Sequence, residues 1–234
     1  FSYMKKVVIS LGGSIIVPDK VDYVYLKKFS KFIKLFSRKN KVVIVTGGGS
    51  TAKKYIDGLR HVTSKEEMFS VVGIASTRLN ARLVSGVFDS SQEIPEKLID
   101  VKKLLRKNNL VICGALGMQK NMTSDGNAAE VAELINADYL INMTNVAGLF
   151  DKNPTTCKTA KFIPSISFKD FKKRIDKIKF KARQHFVLIE SAAKIISKAK
   201  IKTYIVNNDL KNLNKLLNGK QFVGTTIGPE VKNE

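Results

Sequence analysis

Short β-branched runs alternate along this chain with stretches in which apolar positions recur every three or four residues. Val7-Val8-Ile9 is such a run, and the Gly12-Gly13 that follows predicts a buried strand ending in a turn. Leu26, Phe29, Phe32, Ile33 and Phe36 fall on one face of a helix. Val42-Val43-Ile44-Val45 predicts a second strand, closed by Thr46-Gly47-Gly48-Gly49, with a helix from about Thr51 to Leu59 behind it. Glu66 to Phe88 reads as a long helix, buried in the domain or between subunits, with Arg78 and Arg82 one turn apart. Helices over Glu96 to Arg106, Asp125 to Leu134, Gln184 to Ala199 and Leu210 to Leu217 alternate with strands over Leu110 to Cys113, Tyr139 to Asn142 and Thr203 to Val206. This order predicts an α/β protein with a mainly parallel sheet covered on both faces. No repeat or low-complexity linker divides the chain, so one domain is expected over residues 4–228.

Three glycine-bearing turns follow strands: Ser10-Leu11-Gly12-Gly13-Ser14, Thr46-Gly47-Gly48-Gly49-Ser50 and Gly114-Ala115-Leu116-Gly117. Glycine lets backbone N–H groups approach phosphate oxygens with no Cβ in the way, and the second turn also opens a helix. Phosphate binding is therefore expected where strands end in an open α/β sheet. None of the turns has the Gly-Lys-Ser/Thr ending of a P-loop, and none gives the dinucleotide Gly-x-Gly-x-x-Gly pattern. His61 and His185 have no partner carboxylate at motif spacing.

Charge agrees with an anionic ligand. The chain carries 41 Lys and Arg against 20 Asp and Glu, a formal +21. The basic residues are spread along the chain, densest from Lys169 to Lys181, and no nucleic-acid motif accompanies them, so a nucleotide is expected rather than nucleic acid. Cys113 and Cys157 form neither a disulfide framework nor a metal-ligand spacing, which suits a reduced, cytoplasmic compartment. No apolar run approaches the roughly 18–20 residues that span a membrane. Met4 is expected to be the natural start, with Phe1-Ser2-Tyr3 a remnant ahead of it.

These residues resemble the amino acid kinase family through Ser10-Leu11-Gly12-Gly13-Ser14 and Gly47-Gly48-Gly49. Within it, Gly73-Ile74-Ala75-Ser76-Thr77-Arg78-Leu79-Asn80-Ala81 and Thr123-Ser124-Asp125 are similar to the archaeal-type UMP kinases. So are Thr144-Asn145-Val146 with Gly148, Ala192-Ala193-Lys194 and Gly224-Thr225-Thr226-Ile227. The resemblance implies a three-layer αβα sandwich, a homo-hexamer built as a trimer of dimers, and transfer of the ATP γ-phosphoryl group to UMP with Mg²⁺. It implies that Gly12, Gly13 and Ser14 cradle the transferring phosphate, and Gly47, Gly48 and Gly49 the acceptor phosphate. It makes Asp125 and Lys181 catalytic, places Lys53, Ser70 and Thr123 at the acceptor, and places Thr144, Asn145, Gly148 and Phe150 at the ATP nucleoside; no residue is assigned to a metal. A valine at Gly48 is accordingly expected to block the acceptor phosphate while leaving the fold largely intact.

The chain departs from the family pattern at several of these positions. Ser10 stands where many relatives have lysine, Lys53 where an arginine grips the UMP phosphate, and Ser70 where an acid holds the ribose. Lysine keeps the charge but loses the bidentate fork. Ala147 and Phe150 replace Asp and Tyr, and the loop before Thr123 is longer. Another small phosphate acceptor, or an oxyanion-binding role like that of the related molybdenum storage proteins, is the alternative.

Overall fold

The computed structural model describes residues 3–117, 123–152, 154, 156–178 and 190–229. In chain order the elements are β1 (Lys6–Leu11), α1 (Gly13–Ile16), α2 (Tyr23–Ser37), β2 (Lys41–Thr46), α3 (Gly49–Arg60) and α4 (Glu66–Val87). Next come α5 (Leu98–Lys107), β3 (Leu110–Cys113), α6 (Ser124–Leu134), β4 (Tyr139–Met143), β5 (Leu149–Phe150), β6 (Phe162–Ile163) and β7 (Ser165–Ser167). The chain continues through α7 (Phe168–Ile178), α8 (Glu190–Ala199), β8 (Thr203–Val206), α9 (Leu210–Leu217) and β9 (Thr225–Gly228).

Seven strands form one sheet in the order β3-β2-β1-β4-β8-β9-β7. The first five run parallel, β9 is antiparallel to β8, and β7 pairs parallel with β9. Side chains alternate across a strand, so each central strand feeds two cores. Val8, Val43, Val111 and Leu140 meet α5, α6, α7 and α8 on one face. Val7, Ile9, Ile44, Ile112 and Ile141 meet α1, α2, α4 and α9 on the other. Most of these strand residues are wholly buried; each such side chain contributes about 1.5–3 kcal/mol relative to exposure. The expected αβα sandwich is therefore present.

Leu26, Phe29 and Ile33 are the buried stripe of α2, and Asp22 caps that helix by accepting from the Tyr25 amide at 2.9 Å. On α4 the inward positions are small or polar, among them Ser76, Thr77, Asn80 and Ala81, while Leu79 faces outward, 59% exposed. α5 starts at Leu98 rather than Glu96, because Lys97 is extended and Glu96 is engaged elsewhere: its carbonyl accepts from Gly117 and its carboxylate meets Arg78. The basic stretch from Lys169 is a helix, α7, whose Phe171 and Ile175 are buried. Of the expected helix from Gln184, residues 184–189 lie outside the described residues, and α8 is described from Glu190.

Candidate active site

The first two glycine turns end the adjacent parallel strands β1 and β2 and abut one another. A Cβ on Gly13 would collide with the backbone of Gly49, and one on Gly47 would lie 2.5 Å from the Gly13 nitrogen. Gly49 also has φ of +64°, a conformation that favours glycine. Gly12 is fixed from the other side, donating to the Met143 carbonyl at the end of β4 at 3.0 Å.

Every backbone amide needs a partner, so its destination is informative. Among the hydrogen bonds of the described residues, none is donated by the amides of Gly13, Ser14, Gly48 or Gly49. All four residues are partly exposed. The turns hold these amides open because their carbonyls are tied back. Asn80, buried on α4, donates to the carbonyls of Gly47 at 2.7 Å and Gly48 at 3.1 Å. The Gly13 carbonyl accepts from Val17 at 2.8 Å. Two turns thus present a nest of unspent donors, reinforced by the amino end of α3.

The third glycine turn, to which no phosphate was assigned, differs. Three of its amides are spent: Ala115 donates to Thr77 Oγ1 at 2.8 Å, Leu116 to Asn127 Oδ1 at 3.1 Å, and Gly117 to the Glu96 carbonyl at 2.7 Å. Arg78 adds a bond from Nε to the Ala115 carbonyl at 3.1 Å and an ion pair with Glu96 at 2.8 Å. Gly114 is required because a Cβ there would lie 2.7 Å from the Arg78 nitrogen. This turn fastens α4 to α6.

Asp125 sits in the first turn of α6, where strand alternation aims Ser10 at it. Ser10 Oγ donates to Asp125 Oδ1 at 2.6 Å. Burial raises the Asp125 pKa above the ordinary carboxylate range, opposed by the donors Ser10 and Asn142. Asn142 Nδ2 is buried and makes no hydrogen bond among the described residues, although it acts on Asp125. Thr123 caps α6, its Oγ1 accepting from the Gly126 amide at 3.2 Å. Ser124 lies beside the second turn, with Oγ 3.4 Å from where a Gly47 Cβ would stand.

The other expected residues sit as follows. Lys53 is exposed on α3, one turn past Gly49. Ser70 is exposed on α4 and donates to the Glu66 carbonyl of its own helix at 3.3 Å. Thr144 and Asn145 follow β4 directly, beside the Gly12–Met143 bond. Gly148 is packed against Thr225 Oγ1 and Phe162, so its missing side chain serves the contact with β9 and β6. Phe150 meets Phe162 edge to face at 5.4 Å. Lys181, His185 and Asn153 lie outside the described residues. The expectation that Gly48→Val leaves the fold largely intact is corrected: a Cβ there would meet Ala52 Cβ at 2.6 Å and Ser76 Cβ at 3.6 Å. The added bulk is thus driven into the α3–α4 packing. Sequence reasoning assigned no roles to Asn80, Asn142 or Ser124, although Asn80 and Ser124 stand inside segments that carry the resemblance.

The sequence model of the amino acid kinase family matches residues 5–207. The chain belongs to that family. The uridylate kinase of Archaeoglobus fulgidus is 34% identical over 223 residues, covering 95% of this chain and 99% of that protein. The uridylate kinase of Thermoplasma volcanium is 33% identical over 224 residues, covering 95% and 97%. The chain superposes on the crystal structure of the Archaeoglobus fulgidus uridylate kinase with a TM-score of 0.83 at 32% identity, covering 96% of this chain and 100% of that one. The UMP kinase of Bacillus anthracis, at 18% identity, TM-score 0.76 and 97% coverage of each chain, shares the fold. Among the described residues, no helix is long and apolar enough to cross a membrane, and no three His, Cys, Asp or Glu gather into a metal site.

Proposed function

We propose that this chain is a uridylate kinase, transferring the γ-phosphoryl group of ATP to UMP to give UDP and ADP. The observation that carries the reading is the nest of four unspent amides on two abutting turns, with Asp125 beside it. Gly13 and Ser14 hold the transferring phosphoryl group, with Gly12 fixing their turn, and Gly48 and Gly49 hold the UMP phosphate. A phosphate oxygen of UMP attacks the γ-phosphorus, the bond to the bridging oxygen breaks, and ADP leaves. Phosphoryl transfer needs positioning and charge neutralisation more than covalent help. Donors fixed before substrate arrives supply this without reorganisation.

Mg²⁺ enters as part of the substrate, carried on the ATP phosphates. Lys53 and Thr123 reach the acceptor, with Ser70 on its ribose side. Thr144, Asn145, Gly148 and Phe150 border the ATP nucleoside, and Lys181 neutralises its phosphates. One domain over residues 4–228 carries both halves and works in the cytoplasm as a hexamer of three dimers. The exposed apolar residues Tyr55, Val62, Met68, Val71 and Leu79 on and between α3 and α4 supply a surface for association.

A coupled assay with ATP, Mg²⁺ and UMP, CMP, AMP, carbamate and acetate as acceptors tests the reading. ADP release is expected with UMP well above every other acceptor. Turnover of another acceptor in preference to UMP, or nucleotide binding without turnover, would sink it.

A further inference from the structure

Ser10 on β1 and Asn142 on β4 are register partners in adjacent parallel strands. Both point to the face covered by α6, as the last inward positions before their strands end, and they are 1% and 2% exposed. Ser10 spends its hydroxyl on Asp125 Oδ1 at 2.6 Å. Asn142 Nδ2 is buried without a hydrogen bond among the described residues. A buried donor left unpaired on a central strand is costly and needs a reason.

The acceptor that faces it is the same carboxylate, on which Asn142 and Ser10 act in the same sense. No charged side chain among the described residues contributes. Lys6 of β1 donates to the Ile135 carbonyl at the far end of α6, and Lys41 of β2 to the Asn108 carbonyl. Asp138, before β4, accepts from the Lys6 amide at that same distant end. On α5, Lys103 pairs with Asp100, and Arg106 is exposed; on α8, Lys194 is exposed. On α6 itself, Glu130 accepts from Asn127. The donors that face Asp125 are neutral.

We propose that Ser10 and Asn142 are positioning residues for Asp125: two neutral donors from neighbouring strands, one for each carboxylate oxygen, that hold it aimed into the cleft. Ser10 takes Oδ1 and Asn142 is the donor for Oδ2. A lysine at position 10 would bring a charge to this site; the serine–asparagine pair brings direction without one. The proposal rests on the reading of Asp125 as catalytic.

The test is an infrared titration of the Asp125 carboxyl band, identified as the band that Asp125→Asn removes. It is run on the whole protein without nucleotide and paired with kcat and KM against pH. Ser10→Ala and Asn142→Leu each move the Asp125 midpoint up by about one pH unit. Each lowers kcat by roughly 10- to 100-fold while KM for UMP and ATP stays within about threefold. Asn142→Asp keeps the side chain's shape, so it reads the same effect if the leucine variant fails to fold. It moves the midpoint furthest, because two carboxylates then face each other. Ser10→Thr restores the wild-type midpoint. An unmoved midpoint in Ser10→Ala and Asn142→Asp overturns the proposal, whatever happens to kcat. Failure of the wild-type protein to make UDP sinks the functional reading instead, and the infrared midpoint still decides the clamp.

Discussion

Gly13 and Gly49 lie backbone against backbone, so that a Cβ on either would overlap the other. The two strand-ending turns are thereby one structural unit, and glycine is demanded by their contact as much as by any ligand. Gly49→Ala adds a steric clash to a residue at φ of +64°. It is expected to destabilise the fold by more than about 1 kcal/mol and to abolish nucleotide binding. Gly58, also on α3, has open space around its Cβ position, so Gly58→Ala is expected to raise stability by up to about 1 kcal/mol. Thermal melting of the two variants side by side checks both signs.

Asn80 ties back the carbonyls of the acceptor turn. Asn80→Ala leaves the buried carbonyl of Gly47 and the neighbouring carbonyl of Gly48 without their donor. It should cost about 1–3 kcal/mol and raise KM for UMP more than KM for ATP. Steady-state kinetics with each substrate varied in turn provide the comparison. An equal effect on both KM values would mean that Asn80 supports the fold without shaping the acceptor turn.

Thr77→Val separates the third turn from the other two. It removes the acceptor of the Ala115 amide and the donor to Ile74, so a loss of about 1–3 kcal/mol is expected in denaturant unfolding. Both KM values should stay within about threefold of wild type, since the third turn lies outside the nest of the first two.

Asp125 ties pH to stability. Burial holds its folded pKa above the unfolded value. Its contribution is therefore fully present below the unfolded pKa and is lost as pH rises through the folded one. At neutral pH the charge opposes folding. Asp125→Asn should melt at a higher temperature than wild type at pH 7.5, the difference closing toward pH 4, while turnover falls at least about 100-fold. A lower melting temperature at pH 7.5 would show that the carboxylate stabilises the fold.

Much of the central sheet was legible in sequence because β1, β2, β3, β4 and β8 each carry a short, mostly buried apolar run. β5, β6 and β7 were not, since two or three residues carry no period, and β9 is half threonine. The stripe of α7, Phe168, Phe171 and Ile175, was hidden by the lysines between its members. At the site, the sequence shows three glycine-bearing turns after strands. What distinguishes them is where their amides go. Thr77, Glu96 and Asn127 close the third turn from 38, 21 and 11 residues away in sequence, and no local pattern announces such partners. Asn80 and Asn142 escaped for the same reason: an asparagine inside an apolar stretch shows its role only once its neighbours in space are known.

The central claim is that the open amides of two turns, and not those of the third, receive the phosphates. Hydrogen–deuterium exchange of the native protein, with and without Mg²⁺-ATP and UMP, reads those amides directly. Gly13 and Ser14 should gain protection with ATP, Gly48 and Gly49 with UMP, and Ala115 to Gly117 should exchange slowly throughout. Unchanged exchange at all four open amides under saturating nucleotide, or protection gained only at the third turn, would contradict the account.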